Sequence, residues 1–292
     1  MSPLLILSIF LLYTAALFSI SLITARKATN ISYFLGNRQS PWLVVAYGMV
    51  GTSLSGVTFI SIPGWVGDTY FSYMMVVFGY IAGYAIISTV LLPVYYKMKL
   101  TTIYTYLESR FGYWSYKTGS FYFILSRVIG ASFRMFLVVH VLQIFIFDHF
   151  GIPFWVSVLI FMLLITLYSF KGGIKTIVWT DMLQTTFMLL SLVVTLYIIG
   201  DKLGFNLSEM IASVREEGYS KIMITDWRHD RFYLKQFFSG MFITIVMTGL
   251  DQDMMQKNLS CKSLGEAQKN MTLLSLILVP VNLLFLFLGA SW

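Results

Sequence analysis

Long stretches of this chain carry no charged side chain. Windows 1–25, 41–67, 69–96, 153–170, 236–250 and 271–292 contain no Asp, Glu, Lys or Arg; 118–147 holds only Arg127 and Arg134, and 176–200 holds only Asp181. About 20 apolar residues of helix cross a bilayer, and most of these windows reach that length. The run 153–170 is marginal, and 236–250 qualifies once the aromatic lead-in after Arg231 is added. The pattern predicts an all-α, polytopic membrane protein of about eight spans. They comprise helix 0 at 4–25 and core helices near 42–62, 70–96, 118–147, 153–170, 176–200, 232–250 and 270–292. Only 11% of the 292 residues are charged, against about 25% in ordinary soluble domains, which excludes soluble, disordered and single-anchor classes.

The net charge of +7 follows topology and gives no sign of nucleic acid. Bases crowd alternate loops: Arg26, Lys27 and Arg38; Lys97, Lys99, Arg110 and Lys117; Lys171 and Lys175; Lys257, Lys262 and Lys269. The positive-inside rule puts these loops in the cytoplasm of a cell-membrane protein whose N-terminus is outside, with an amphipathic segment 26–40 on the inner side. The first apolar stretch is followed, not preceded, by its positive charges, so it is no ordinary signal peptide. A single cysteine, Cys261, excludes internal disulfides and thiolate clusters. No metal-spaced His/Cys/Glu set, Ser/His/Asp trio at one depth or phosphate-binding glycine loop supports an enzyme. Gly79 and Gly83 form a GxxxG pair, read first as a packing seam.

Some apolar spans carry chemistry. Gly48, Gly51, Thr52, Ser53, Ser55, Gly56, Thr58 and Ser61 fall within fourteen residues of the first core helix, before Pro63-Gly64. Such residues are poor helix formers, and irregular backbone at bilayer depth survives only inside protein or beside a wet cavity. An interruption there would free carbonyls for Na⁺ and hydroxyls for a solute; the alternative is a small-residue packing face. Arg127 lies about 15 Å along its helix from Lys117 at 1.5 Å per residue, near the bilayer middle, and Arg134 is two turns further on. Each reads either as a two-point grip on an anion or as a structural ion pair or carbonyl cap inside the bundle. Asp181 reads as a Na⁺ ligand or proton relay, or as an interfacial acid pairing Lys175 or capping its helix. Asp251, Gln252 and Asp253 are expected to close the sixth core helix on the cytoplasmic side, as a gate network or as solvated loop charges.

Three segments carry a family resemblance. Gly172-Gly173-Ile174-Lys175-Thr176-Ile177-Val178-Trp179-Thr180-Asp181-Met182-Leu183-Gln184 is similar to the GG…W-T-D-x-x-Q signature of the sodium:solute symporters. Leu92-Pro93 with Thr101–Phe111 resembles that family's LP…T-x-x-E-Y-L-x-x-R-F stretch, with Thr105 in place of the usual acid. Asp251-Gln252, Gln256-Lys257 and Glu266-Ala267 resemble its DQ-x-x-x-Q-R…EA segment. The resemblance runs from about residue 30 onward. It implies a LeuT-like inverted repeat, with a first repeat at about 42–200 and the start of a second at about 232–292, all in one transporter domain. It also implies a fragment lacking the eighth helix, whose hydroxyls would complete a sodium site begun by the carbonyls of Gly51 and Leu54. Residues Ser53–Phe59 are most similar to the sialic-acid and anion branch. There Ser55, Thr58 and the arginine matching Arg127 would hold a substrate carboxylate, with Ser53 beside them, and Asp181 would serve a second sodium. Val77 stands where that branch places a substrate-binding glutamine, which argues against sialic acid itself.

The expected function is therefore Na⁺-coupled symport of a small organic anion, with sodium and solute as partners. The alternatives are a sensor module feeding a signalling domain, and a sugar, amino-acid or proton-coupled carrier.

Overall fold

The computed structural model describes residues 3–24, 36–100, 102–169 and 173–291. Arg26, Lys27, Lys171 and Gly172, with most of the 26–40 segment, lie outside the described residues, as does the side chain of Lys175. The helices are α1 (Pro3–Thr24), α2 (Trp42–Ser53), α3 (Gly56–Thr69), α4 (Tyr73–Ile86), α5 (Leu92–Lys97), α6 (Tyr104–Phe111), α7 (Tyr113–Leu142), α8 (Phe154–Ser169), α9 (Gly173–Leu203), α10 (Leu207–Glu216), α11 (Tyr233–Thr244), α12 (Gln252–Leu259) and α13 (Leu264–Ala290). Wide π turns at Ile87–Leu91, Gln143–Phe147 and Ile245–Gly249 extend α4, α7 and α11.

Five stretches among the described residues are long and apolar enough to cross a membrane: Pro3–Thr24, Gly56–Lys97, Tyr113–Phe150, Thr176–Leu203 and Leu264–Ala290. The sequence counts eight spans because charge-free runs ignore breaks. Of the other three runs, one is the 16-residue α8 and two are helices interrupted at mid-length. Both interruptions are visible in the backbone. Leu54 takes φ −105°, ψ 135° between α2 and α3, and Asp251 takes φ −105°, ψ 125° between the π turn and α12.

The sixth core helix therefore does not end at residue 250. It resumes at Gln252 and runs to Leu259, which corrects the expectation that Asp251, Gln252 and Asp253 close a helix. The Asp251 side chain accepts from Met254 N–H at 3.1 Å, so the acids sit at a helix N-terminus, the end that favours negative charge.

The core forms where α2, α3, α4, α12 and α13 meet, around Met49, Ile87, Leu92, Met255, Met271, Leu274, Leu278 and Phe285, each at most 2% exposed. The α4–α11 contact is made at backbone distance. A Cβ at Gly79 would overlap the Phe237 carbonyl, and one at Gly240 would overlap the Val76 carbonyl, so the GxxxG pair is a packing seam. His140 is exposed and stacked on Phe136, rings 5.6 Å apart.

The 201–231 connection folds back over one end of the bundle. Phe71 N–H donates to the Tyr219 carbonyl at 3.0 Å, the Tyr70 and Tyr219 rings lie 6.2 Å apart, and Arg231 donates to the Asp68 carbonyl. These contacts hold Tyr70 at φ 53°, a conformation a bulky residue seldom adopts.

Candidate functional site

The α2–α3 break is built by a reciprocal capping box. Ser55 N–H donates to Thr58 Oγ1 at 3.0 Å, and Thr58 N–H donates to the Ser55 hydroxyl oxygen. In an unbroken helix those two N–H groups would serve the carbonyls of Gly51 and Leu54, four residues earlier. Diverting both to side chains leaves those carbonyls without their helical donors at a single point in the bundle. Hydroxyl oxygens that accept in this way keep their own protons free to donate. The small and hydroxyl residues at 51–58 thus form an interruption and not a uniform packing face.

A cavity of about 150 Å³ lies between the two breaks, lined by Thr52, Ser53, Leu54 and Thr58 from one and by Thr248, Asp253 and Met254 from the other. Tyr84, Arg127, Arg134 and Asn282 also face it. A second cavity of about 760 Å³ reaches Gly51, Leu54, Ser55, Asp181, Asp253 and Lys257, and a third of about 820 Å³ reaches Arg127, Arg134 and Asp251.

Three acids and three bases meet around these cavities. Lys257, whose side chain is 4% exposed, places Nζ 2.7 Å from Asp181 Oδ2 and 2.9 Å from Thr52 Oγ1, while Thr52 donates to the same Asp181 oxygen at 3.0 Å. Arg127 pairs with Asp251 and lies over the Phe123 ring, its guanidinium carbon 5.6 Å from the ring centre. Arg134 and Asp253 have no hydrogen-bond or ion-pair partner among the described residues, although both line the 150 Å³ and 760 Å³ cavities.

The predicted site residues thus fall on connected cavities, but in groupings the sequence did not separate. Ser53, Thr58 and Arg127 share the small cavity, while Ser55 faces the larger one with Gly51, Leu54 and Asp181. Asp181 lies well inside α9 and does not cap it; it is the carboxylate of a largely buried triad with Lys257 and Thr52, while the side chain of Lys175, its expected partner, lies outside the described residues. Lys257 is corrected from a cytoplasmic loop base to a bundle residue, because α12 carries it inward. Asp251 lies at the second break against Arg127, and Gln252 Oε1 accepts from Ile103 N–H at 2.8 Å, just before α6.

Sequence reasoning missed Thr185, whose hydroxyl oxygen accepts from Gly51 N–H at 3.1 Å while the hydroxyl donates to the Asp181 carbonyl at 2.7 Å. It also missed Asn282, fully buried on α13, four residues after Leu278, whose carbonyl its amide nitrogen reaches at 2.7 Å. A helical offset of four between Asp181 and Thr185 was the available signal for the first. An Asn in the 271–292 apolar run was the signal for the second.

A model of the sodium:solute symporter family matches residues 33–290. The chain is 25% identical over 286 residues to the sodium/sialic acid symporter SiaT of Proteus mirabilis, covering 96% of this chain and 56% of that protein. It is 28% identical over 241 residues to the sodium-dependent multivitamin transporter of Oryctolagus cuniculus, covering 81% and 37%. A solved structure of a Na⁺-coupled sialic acid symporter, substrate-bound and outward-open, superposes with a TM-score of 0.87 at 24% identity, covering 97% of this chain and 59% of that one. That likeness gives the fold, a LeuT-like helix bundle. The chain spans little more than half the length of the sialic acid symporter it matches. It belongs to the sodium:solute symporter family.

Proposed function

We propose that this member of the sodium:solute symporter family carries a small carboxylate-bearing organic solute together with Na⁺, as part of a secondary active transporter. The observation that carries the reading is the capping box at Ser55 and Thr58. It exposes the Gly51 and Leu54 carbonyls, hard oxygen ligands suited to Na⁺, within one or two residues of hydroxyls that face a cavity flanked by arginines. Joining ion and solute at one stretch of backbone is what coupling requires, because each then stabilises the arrangement the other needs. One Na⁺ crossing 100 mV contributes about 2.3 kcal/mol, roughly a fiftyfold gradient for a solute without net charge; for a monoanion moved with one Na⁺ that electrical term cancels, and a second coupled Na⁺ restores it.

In this reading the chain is multi-pass in the cell membrane with its N-terminus outside. Gly51 and Leu54 contribute to one sodium site, and Ser53, Ser55 and Thr58 face the solute. Asp251 and Gln252 tie the second break to its surroundings as gate residues. Asp181 acts on a second sodium only if Lys257 yields its carboxylate. Arg127 acts on the solute only if the Asp251 pair opens. The repeat boundaries, about 42–200 and 232–292, are supported by the two interrupted helices standing at corresponding places in each repeat.

The test is uptake into proteoliposomes of the full-length protein, driven in parallel by a Na⁺ gradient and by a pH gradient. Carboxylate uptake driven by Na⁺ supports the reading, and uptake driven by the pH gradient alone rejects it. Within that assay Arg127→Lys abolishes carboxylate uptake if the guanidinium grips the solute, and undiminished uptake removes Arg127 from the site.

A further inference from the structure

The charges around the cavities balance: Asp181 is used by Lys257 and Asp251 by Arg127, which leaves one guanidinium, Arg134, and one carboxylate, Asp253. A cavity that presents one unpaired cation and one unpaired anion complements a solute carrying both signs. A simple anion placed against Arg134 would leave Asp253 as an uncompensated, half-buried neighbour of like charge.

Two further groups point the same way. Asn282 is fully buried, and its amide nitrogen is fixed on the Leu278 carbonyl at 2.7 Å, which turns Oδ1 away as an acceptor with no partner. The buried Ser53 hydroxyl stands beside the Tyr84 phenol. Both line the same cavity as Arg134 and Asp253. Unpaired buried acceptors are rare and call for a donor, and a substrate ammonium group, with three N–H bonds and a positive charge, supplies it.

We propose that the solute is a zwitterion, an amino-bearing carboxylate. Arg134 holds its carboxylate, which requires no ion pair to open, and Asp253, Asn282 and Ser53 receive its ammonium group. This rests on the transport reading above and narrows its substrate class.

The test uses thermal shift and equilibrium binding on the full-length protein in detergent, with and without 100 mM NaCl as an assay condition. The probes are matched sets: L-alanine, L-proline and 4-aminobutyrate; their deamino counterparts propionate, cyclopentanecarboxylate and butyrate; and their decarboxylated counterparts ethylamine, pyrrolidine and propylamine. At least one amino-bearing carboxylate binds, and its deamino and decarboxylated counterparts bind roughly 10- to 100-fold more weakly, as the loss of a charge-assisted hydrogen bond predicts. Asp253→Asn removes that advantage of the amine-bearing member, and Arg134→Gln removes binding of both carboxylate sets. Binding of the deamino acids as well as or better than the amino acids overturns the proposal while leaving a carboxylate transporter in place. Failure of every amino-bearing probe also overturns it. Zwitterion binding and uptake indifferent to Na⁺ would uphold this site and reject sodium coupling.

Discussion

The buried pair between α9 and α12 makes a quantitative claim. Lys257 Nζ lies 2.7 Å from Asp181 Oδ2, with side-chain exposures of 4% and 16%. At that separation and an effective dielectric of about 20, the gross attraction is about 6 kcal/mol, much of it offset by desolvation. Removing one partner strands the other, which costs about 3–5 kcal/mol. The two ends are not equivalent. Lys257 is the more deeply buried, so Asp181→Asn, which strands the ammonium, falls at the upper end of that range. Lys257→Met leaves a carboxylate that still accepts from Thr52 and faces a cavity, so it falls at the lower end. The double variant Asp181→Asn with Lys257→Met strands no charge and recovers about 2–3 kcal/mol relative to the sum of the singles. Intrinsic tryptophan fluorescence during thermal unfolding of the purified full-length protein reads this cycle, each single lowering Tm by about 10 °C at roughly 2–4 °C per kcal/mol. Additive singles, or a Lys257→Met protein that melts no earlier than the wild type, would refute the argument.

Further outcomes follow from other features. In uptake measured at varied Na⁺, Asp181→Asn weakens the sodium dependence more than the substrate selectivity, and an unchanged sodium response rejects a role for this carboxylate in coupling. Thr58→Val removes the acceptor of Ser55 N–H, costs about 1 kcal/mol as a lost cap, and lowers Na⁺ affinity because the released N–H competes for the Gly51 carbonyl; unaltered Na⁺ stabilisation in thermal shift would count against the capping-box account. Gly240→Leu drives a side chain into the Val76 carbonyl, costs at least about 1–3 kcal/mol, and reduces the monodisperse fraction on size-exclusion chromatography, whereas wild-type behaviour would mean the seam is loose. Burial, and next the Glu266 carboxylate, push the Cys261 thiol up to about 12. The folded protein therefore reacts slowly with a maleimide at pH 8, where the thiolate fraction is small, and labelling accelerates on denaturation; rapid labelling of the native protein would contradict this burial.

The spans were legible because lipid imposes one constraint over many residues, and a run without charge records it directly. The first break was half legible: glycine and hydroxyl density at 48–61 weakens a helix, but packing and interruption share that composition, and only the Ser55–Thr58 reciprocity decides between them. The second break was hidden. The β-branched residues and glycine of Ile245–Gly249 are equally at home at the end of an apolar span, Gln252–Leu259 contains ordinary helix formers, and the acids at 251 and 253 read equally as the end of one helix or the start of another. Lys257 was lost for the same reason, since a base just past an apparent membrane boundary is counted as topology. Pairings such as Arg127 with Asp251 join residues 124 positions apart and leave no local trace in the sequence.

The fastenings at the two ends of the first interrupted helix differ in what they grip. On one side of Leu54, Ser40 N–H bonds the Ser260 carbonyl at 3.1 Å, the Asn258 amide reaches Met49 Sδ at 3.7 Å, and Thr52 meets Lys257, so α2 and α12 are bolted together. On the other side, α3 is laced to α13, with the Phe59 and Phe285 rings 5.4 Å apart and no room for a Cβ on Gly289 against Pro63. The α2 half is also held by α9, where the Thr185 hydroxyl takes the Gly51 N–H at 3.1 Å, and by α13, whose Asn270 amide reaches Met49 Sδ at 3.4 Å. Both halves of the broken rod thus lean on α13, and any change of angle between them is taken up at Leu54, beside the carbonyls that have no helical donor.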